Sequence, residues 1–260
     1  MGGTNCDAET KRAFEELGVK TDILHVNELV KRRSLLDYHA LVFPGGFAHG
    51  DYVRAGAIWA KWILAKLDKE LKVFIDENRP ILGICNGFQV LVEAGLLPGF
   101  KGISPYPEAS LATNVPSGYN CRWIYLKHKN NGKCLFTSNI PKGKVLHVPV
   151  SHSEGRFLFA KEKEKQLLNE LYENDQLVFR YSDENGEYAD GRFPTNPNGS
   201  FHDIAGICNP EGTIFGLMPH PERAFYWWQQ PDWTRKKRMT QYGDGKLVFG
   251  SLINYLERAS

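Results

Sequence analysis

The stretch ILGICNGFQVL, residues Ile81–Leu91, indicates a strand that turns directly into a helix. Its first residues are apolar and typical of a buried strand, and its last residues have the apolar spacing of a helix. Between them Gly83 and Gly87 stand two residues before and two residues after Cys85. Small residues at those positions let a strand turn sharply and leave the central side chain exposed at the tip. The sequence therefore predicts a sharp turn with Cys85 at its apex.

Strands and helices alternate on either side of this turn. We predict a strand near Asp22–Val26, a second in HALVF before Pro44-Gly45-Gly46, and helices at 55–66 and 71–77 that precede PILGI. This alternation predicts an α/β fold with an open, mostly parallel central sheet flanked by helices. In such sheets, sites form beyond the carboxyl ends of the strands, where both the Gly45-Gly46 turn and Cys85 fall.

The second half of the chain has a different pattern. From about residue 111, short strand-like runs follow one another, with helices predicted at 161–174 and at 246–258. Nothing in the composition marks a boundary, so we expect residues 1–260 to form a single domain.

Composition excludes several function classes. A net charge of +2 argues against a nucleic-acid or anionic-membrane surface. No apolar run approaches the ~18 residues that a membrane helix needs. The five cysteines are odd in number and show no C-x-x-C spacing, which favours free thiols in a reducing cytoplasm over a disulfide framework or a zinc ribbon.

A cysteine at such a turn can be a nucleophile, because the helix that follows favours a thiolate. The alternative is a buried structural cysteine that uses the glycines for packing. A nucleophile needs a base and an orienting group. His220-Pro221-Glu222 follows the strand-like run TIFGLM and is our preferred pair, whereas spacing alone does not exclude His152-Ser153-Glu154. The amides of Gly45, Gly46 and Asn86 could form an oxyanion hole.

Several motifs carry a resemblance to a known family. PGGF, GICNGFQ and MPHPER together resemble the class I glutamine amidotransferases. The longer stretches resemble, over nearly the whole chain, the glutaminase subunits of phosphoribosylformylglycinamidine synthases, a family of purine biosynthesis; they are GGTNCD, PGGFAHGDYVRAGA, GICNGFQVLVEAGLLPG, NPNGS, IAGICN and GLMPHPERA.

The resemblance implies a flavodoxin-like fold and a glutaminase that works in the cytoplasm. Cys85 would attack the glutamine amide and form a thioester, His220 would serve as base and acid, and Glu222 would orient it. Gln89 would help to hold the substrate. The chain has no P-loop, so we expect no cofactor in it, and ATP and Mg²⁺ would be used by the partner.

That partner would be the synthetase subunit, which receives the ammonia, and the resemblance also admits a small third subunit. We expect the docking surface to include Thr4, Asn5, Asp51, Tyr52 and Arg54, which lie in polar, glycine-containing segments.

Three features depart from the family pattern. The family has a strand before the GGTNCD-like motif that this sequence does not include, so we expect either a start that lies upstream or a sheet that lacks this strand. Ser153 stands where glycine is usual, and the tryptophan-rich segment 225–243 has no assigned role. A free-standing cysteine amidase or γ-glutamyl peptidase on the same fold is the alternative function, and a partner-binding scaffold with an inactive site is a third reading.

Overall fold

The computed structural model describes residues 1–31, 33–51, 54–235 and 240–259. Within these residues the α-helices are α1 Asp7–Glu16, α2 Val26–Lys31, α3 Ala57–Asp76, α4 Asn86–Glu93, α5 Glu164–Glu173 and α6 Lys246–Ala259. The strands are β1 Leu41–Phe43, β2 Ile81–Ile84, β3 Ser110–Thr113, β4 Asn120–His128, β5 Val145–His152, β6 Glu154–Leu158, β7 Leu177–Ser182, β8 Ile204–Cys208 and β9 Ile214–Leu217.

A seven-stranded sheet with the order β1-β2-β9-β8-β7-β4-β5 organises the molecule. β1, β2 and β9 run parallel to one another, whereas the remaining neighbours in the sheet pair antiparallel. β3 and β6 form a separate antiparallel pair. The predicted α/β class is confirmed, and the parallel arrangement occupies the β1-β2-β9 part of a mixed sheet.

The parallel part of the sheet lies in the core. Every residue of β2 and of β9 is buried, which is the pattern of strands covered on both faces. β9 lies between β2 and β8. Because β1, β2 and β9 are neighbours that run parallel, their carboxyl ends lie at the same edge of the sheet. The residues that follow these strands, from Pro44, Cys85 and Met218 onward, therefore converge.

Two sequence predictions in the first half differ from the structure. The two helices predicted at 55–66 and 71–77 are one helix, α3, because buried Ile63, Leu67 and Leu71 continue the same apolar face without a break. The strand predicted near Asp22–Val26 is wrong. Residues 21–25 form no regular element and lie across an open groove from β1, and Val26 begins α2.

The remaining predicted elements are close to the observed ones. The helix predicted at 161–174 is α5, and the one predicted at 246–258 is α6. In the tryptophan-rich segment, Phe225 packs against Phe249 of α6, while Trp228 and Trp233 are exposed. Among the described residues, no helix combines the length and the apolarity that crossing a bilayer requires.

Candidate active site

Cys85 occupies the predicted turn between β2 and α4. Its backbone angles are φ 50° and ψ −107°, a conformation that residues with a side chain rarely adopt. Two backbone hydrogen bonds hold it there: the Cys85 N–H donates to the Leu217 carbonyl at 2.8 Å, and the Gln89 N–H donates to the Cys85 carbonyl at 3.1 Å. A Cβ on Gly87 would lie 1.9 Å from the Phe43 carbonyl oxygen, so only glycine fits beside the turn.

His220 follows β9 and faces this turn. Its N–H donates to the Pro149 carbonyl at 2.8 Å, and Pro221 begins a short 3₁₀ helix, Pro221–Ala224. Nδ1 of the ring lies 2.5 Å from Oε1 of Glu222. Nε2 is buried and has no hydrogen-bond partner among the described residues. The Glu222 contact therefore orients the ring and leaves its other nitrogen for a reacting group.

Electrostatics connect His220 to both neighbours. Burial by itself lowers the pKa of the imidazole, but the Glu222 carboxylate and the Cys85 sulfur outweigh burial and raise that pKa well above its ordinary value. The Cys85 thiol itself donates to the Ser151 carbonyl at 3.8 Å. The Glu222 carboxylate and the Cys85 sulfur therefore both favour the protonated form of the imidazole.

A second thiol lies on the other side of the imidazole. Sγ of Cys6 is 3.9 Å from Nδ1 of His220 and 3.2 Å from Nη2 of Arg223. Burial raises the pKa of the Cys6 thiol. Sequence reasoning missed this contact, since Cys6 is far from His220 in the chain; its place in the GGTNCD stretch was the available signal.

The same group bears on metal binding. The ligand atoms of Cys6, His220 and Glu222 lie within 4.8 Å of one another, which is close enough to surround a cation. However, the hydrogen bond between His220 and Glu222 already uses two of these atoms, and the Arg223 guanidinium contacts the third. The arrangement therefore favours proton transfer over metal coordination.

The predicted oxyanion-hole residues lie in the two turns that carry Gly45 and Cys85. A Cβ on Gly45 would lie 2.7 Å from Cε1 of His220, so the turn packs directly on the imidazole. Gly46 has φ 145°, and among the described residues neither glycine amide donates a hydrogen bond. Asn86 is the first residue of α4, where backbone amides lack helical partners, and its Oδ1 accepts the Ala48 N–H at 3.2 Å.

Gln89 is buried one helical turn after the nucleophile. Its Oε1 accepts a hydrogen bond from Nδ2 of Asn86 at 2.9 Å, and its Nε2 donates to the Glu154 carbonyl at 2.5 Å. The carboxamide predicted to hold substrate is thus bound to the protein by both of its polar atoms.

The other H-x-E sequence has a different geometry. His152 is 2% exposed, and neither ring nitrogen has a hydrogen-bond partner in the described part of the chain. Burial, with a smaller contribution from His220, lowers its pKa to about 3, so the ring is neutral. Oε2 of Glu154 instead accepts the Ala55 N–H at 3.1 Å. His152 and Glu154 therefore do not form a base and its orienting group.

Of the predicted docking residues, Thr4 and Asn5 lie beside Gly46 and Cys6. The Thr4 hydroxyl donates to the Met1 carbonyl at 2.8 Å, and Thr4 forms an isolated bridge with Gly46. Asn5 Oδ1 lies 3.4 Å from the Cys6 thiol. The Arg54 guanidinium pairs with Glu93 at 2.6 Å. Asp51 ends a short 3₁₀ helix, Ala48–Asp51, whereas Tyr52 lies outside the described residues.

Comparison with protein families gives a match over almost the full length. Residues 1–256 match the family described as the CobB/CobQ-like glutamine amidotransferase domain. The phosphoribosylformylglycinamidine synthase subunit PurQ of Archaeoglobus fulgidus is 49% identical, covering 99% of this chain and 95% of that protein. The subunit of the same name from Methanococcus maripaludis is 44% identical, covering 98% of this chain and 91% of that protein.

Solved structures agree with this match. The structure of PurLQS from Thermotoga maritima aligns with a TM-score of 0.71 and 32% identity, covering 98% of this chain and 94% of that chain. A glutamine amidotransferase from Thermotoga maritima aligns with a TM-score of 0.51 and 19% identity, covering 96% of this chain and 90% of that chain, which is a likeness of fold.

Proposed function

Because this chain belongs to the PurQ family of glutamine amidotransferases, we propose that it is the glutaminase subunit of a phosphoribosylformylglycinamidine synthase. In that role it hydrolyses glutamine to glutamate and delivers ammonia to an ATP-dependent synthetase subunit, as one glutamine amidotransferase domain of residues 1–260. The observation that carries the proposal is the position of Cys85, in a strained turn next to a buried imidazole that a carboxylate orients.

The chemistry follows from these three side chains. The Cys85 sulfur attacks the side-chain amide carbon of glutamine, and the proton of the thiol passes to Nε2 of His220. Negative charge develops on the carbonyl oxygen, where the amides of Gly46 and Asn86 are the candidate donors. His220 then gives its proton to the leaving nitrogen, so that the carbon–nitrogen bond breaks, ammonia departs and a γ-glutamyl thioester remains.

Water completes the cycle. His220 takes a proton from the water, the hydroxide attacks the thioester, and glutamate leaves as the sulfur recovers its proton. Glu222 stays hydrogen-bonded to Nδ1 throughout, which stabilises the imidazolium that forms in each half of the reaction. No step draws on a metal or a cofactor in this subunit, and ATP and Mg²⁺ belong to the synthetase's reaction.

The partners follow from the same assignment. The likeness to the PurLQS structure from Thermotoga maritima is the basis for expecting a synthetase subunit, and the proposal includes a small third subunit. We place the enzyme in the cytoplasm, where its five cysteines remain reduced. A free-standing cysteine amidase would use the same triad, but its activity would not depend on a partner.

The test is replacement of the nucleophile in the assembled synthase. We expect Cys85→Ala to abolish glutamine-dependent synthesis and to leave synthesis from added ammonia intact. A glutamine-analogue electrophile should label Cys85 in the wild type. Labelling of Cys6 or Cys208 instead, or glutamine hydrolysis that survives in Cys85→Ala, would contradict the proposed function.

A further inference from the structure

The His152-Ser153-Glu154 sequence has no role in the proposed triad, yet Glu154 contacts Gln89 and Ala55 through two different groups. Its backbone carbonyl accepts Nε2 of Gln89 at 2.5 Å, and its carboxylate accepts the Ala55 N–H at 3.1 Å. Gln89 in turn accepts from Asn86, and Asn86 accepts the Ala48 N–H. These hydrogen bonds connect Ala48 and Ala55, which both lie between β1 and α3, to the first turn of α4.

The backbone next to Ala55 is also in close contact with Gln89. A Cβ on Gly56 would lie 2.8 Å from the carbonyl carbon of Gln89 and 2.7 Å from the Val90 nitrogen. Gly56 has φ 81°, so its backbone takes a conformation that favours glycine. Ala55 and Gly56 are therefore pressed against the helix that begins at the nucleophile, and the Glu154 carboxylate holds them there.

We propose that Glu154 is a positioning residue for glutamine binding, which fixes the Ala55–Gly56 backbone and the Gln89 carboxamide relative to Cys85. This rests on the proposed glutaminase function and adds a residue outside the triad. Glu154 acts through its neighbours: the carboxylate sets the backbone, and the main-chain carbonyl sets the amide of Gln89.

The two contacts have different sensitivities to substitution. The carbonyl of residue 154 is present whatever the side chain, so Glu154→Ala removes the carboxylate's bond to Ala55 and keeps the carbonyl's bond to Gln89. A hydrogen bond with a charged acceptor is stronger than a neutral one. Because Gly56 packs against Gln89, the residue proposed to hold glutamine, displacement of Ala55 and Gly56 should weaken glutamine binding more than turnover.

The experiment compares Glu154→Ala with Glu154→Gln in the assembled synthase. For Glu154→Ala we expect the KM for glutamine to rise about tenfold while kcat stays within about threefold, the scale of one charge-assisted hydrogen bond. Glu154→Gln keeps an oxygen that can accept the Ala55 N–H, and we expect both constants to stay within about threefold of the wild type.

Glu108→Ala is the matched control, because the Glu108 carboxylate also accepts a backbone amide, that of Phe100 at 3.3 Å, and the residue is likewise half-buried. We expect it to leave the KM unchanged. Labelling of Cys85 by a glutamine analogue should slow in Glu154→Ala, whereas labelling by iodoacetamide should not, a difference that general loss of structure would not produce.

Four outcomes would overturn the inference. They are an unchanged KM in Glu154→Ala, an equal loss in Glu154→Gln, an equal slowing of both labelling reagents, and loss of ammonia-dependent synthesis. An equal rise in the KM of Glu154→Gln would mean that the negative charge of Glu154 interacts directly with the substrate. The activity of Cys85→Ala distinguishes failure of this inference from failure of the proposed function. If that variant still hydrolyses glutamine, the proposed function is wrong, regardless of the results for the Glu154 variants.

Discussion

Nδ1 of His220 lies 2.5 Å from Oε1 of Glu222, and their side chains are 2% and 0% exposed. At that distance the imidazole N–H donates to the carboxylate, which orients the ring and leaves Nε2 without a hydrogen-bond partner among the described residues. His152, the other buried histidine of an H-x-E sequence, has no such carboxylate partner among the described residues. This difference separates the two candidate bases.

The first prediction compares these two histidines. His220→Asn should lower the kcat for glutamate release by about 100-fold or more, the scale for loss of a general base. His152→Asn should lower it by less than about tenfold, because no described contact gives His152 an orienting carboxylate. Steady-state glutaminase assays on the complex measure both. A larger effect at His152 would contradict the assignment of the base.

The second prediction concerns acid stability. The pKa of His152 is lowered to about 3 in the folded chain, whereas an unfolded histidine has a pKa of about 6.5. Between these two pKa values the unfolded chain binds a proton at His152 and the folded chain does not. The free energy of unfolding therefore decreases as the pH falls from about 6.5 to the folded pKa of about 3. At pH 5.0 this loss should be on the order of 2 kcal/mol relative to pH 7.5.

The measurement is urea unfolding of the wild type and of His152→Gln at those two pH values. His152→Gln should have a lower free energy of unfolding at pH 7.5, with a smaller further loss at pH 5.0, because glutamine does not titrate. Identical pH dependence in the two proteins would show that His152 is not the buried neutral group responsible.

The third prediction concerns the glycine turn after β1. The Cβ added by Gly45→Ala would lie 2.7 Å from Cε1 of His220, so the ring must move away. A displacement of this kind can cost about 100-fold in rate, and we expect kcat to fall on that scale with little change in stability.

Gly250→Ala is its control. No atom lies within 4 Å of the added Cβ, and Gly250 is inside α6, where alanine is the better helix former. We expect it to stabilise the chain by about 0.5–1 kcal/mol and to leave kcat unchanged. Thermal unfolding and glutaminase assays of the two variants distinguish the local clash from a general effect of alanine.

The fourth prediction concerns the partner. The isolated chain should release glutamate slowly, and addition of the synthetase, nucleotide and formylglycinamide ribonucleotide should raise its turnover number by about 100-fold. The reason is geometric, since one misplaced oxyanion-hole donor costs about 10²–10³ in rate. The backbone of Gly46 can rotate, so that its amide N–H points either toward the developing negative charge or away from it. An equal turnover number with and without the partner would favour the free-standing amidase.

Local sequence predicted the parts of the site that depend on local geometry. Gly83 and Gly87 around Cys85 indicate a sharp turn because a Cβ at Gly87 has no room, and that requirement is readable from spacing. The contact of Cys6 with His220 was not readable, because it depends on the packing of the N-terminal segment against the loop after β9. The contacts of Glu154 with Gln89 and Ala55 were not readable from the sequence either, because they too depend on tertiary packing.

The strand predicted near Asp22–Val26 failed for a similar reason. Its residues have the apolar content of a strand, but a strand needs a neighbour for its backbone groups, and this segment lies across a groove from β1. By contrast, β2 and β9 combine short apolar runs with burial on both faces, so their sequence and their tertiary position agree.

The position of β9 between β2 and β8 has a consequence for the chain during its synthesis. Cys85 leaves the ribosome long before His220, and the base cannot reach the thiol until β9 has inserted between two strands made earlier. Such long-range pairings form late, since loop closure has to precede them. If His220 activates Cys85 as proposed, a nascent or truncated chain that lacks β9 carries an unactivated thiol and should not consume glutamine.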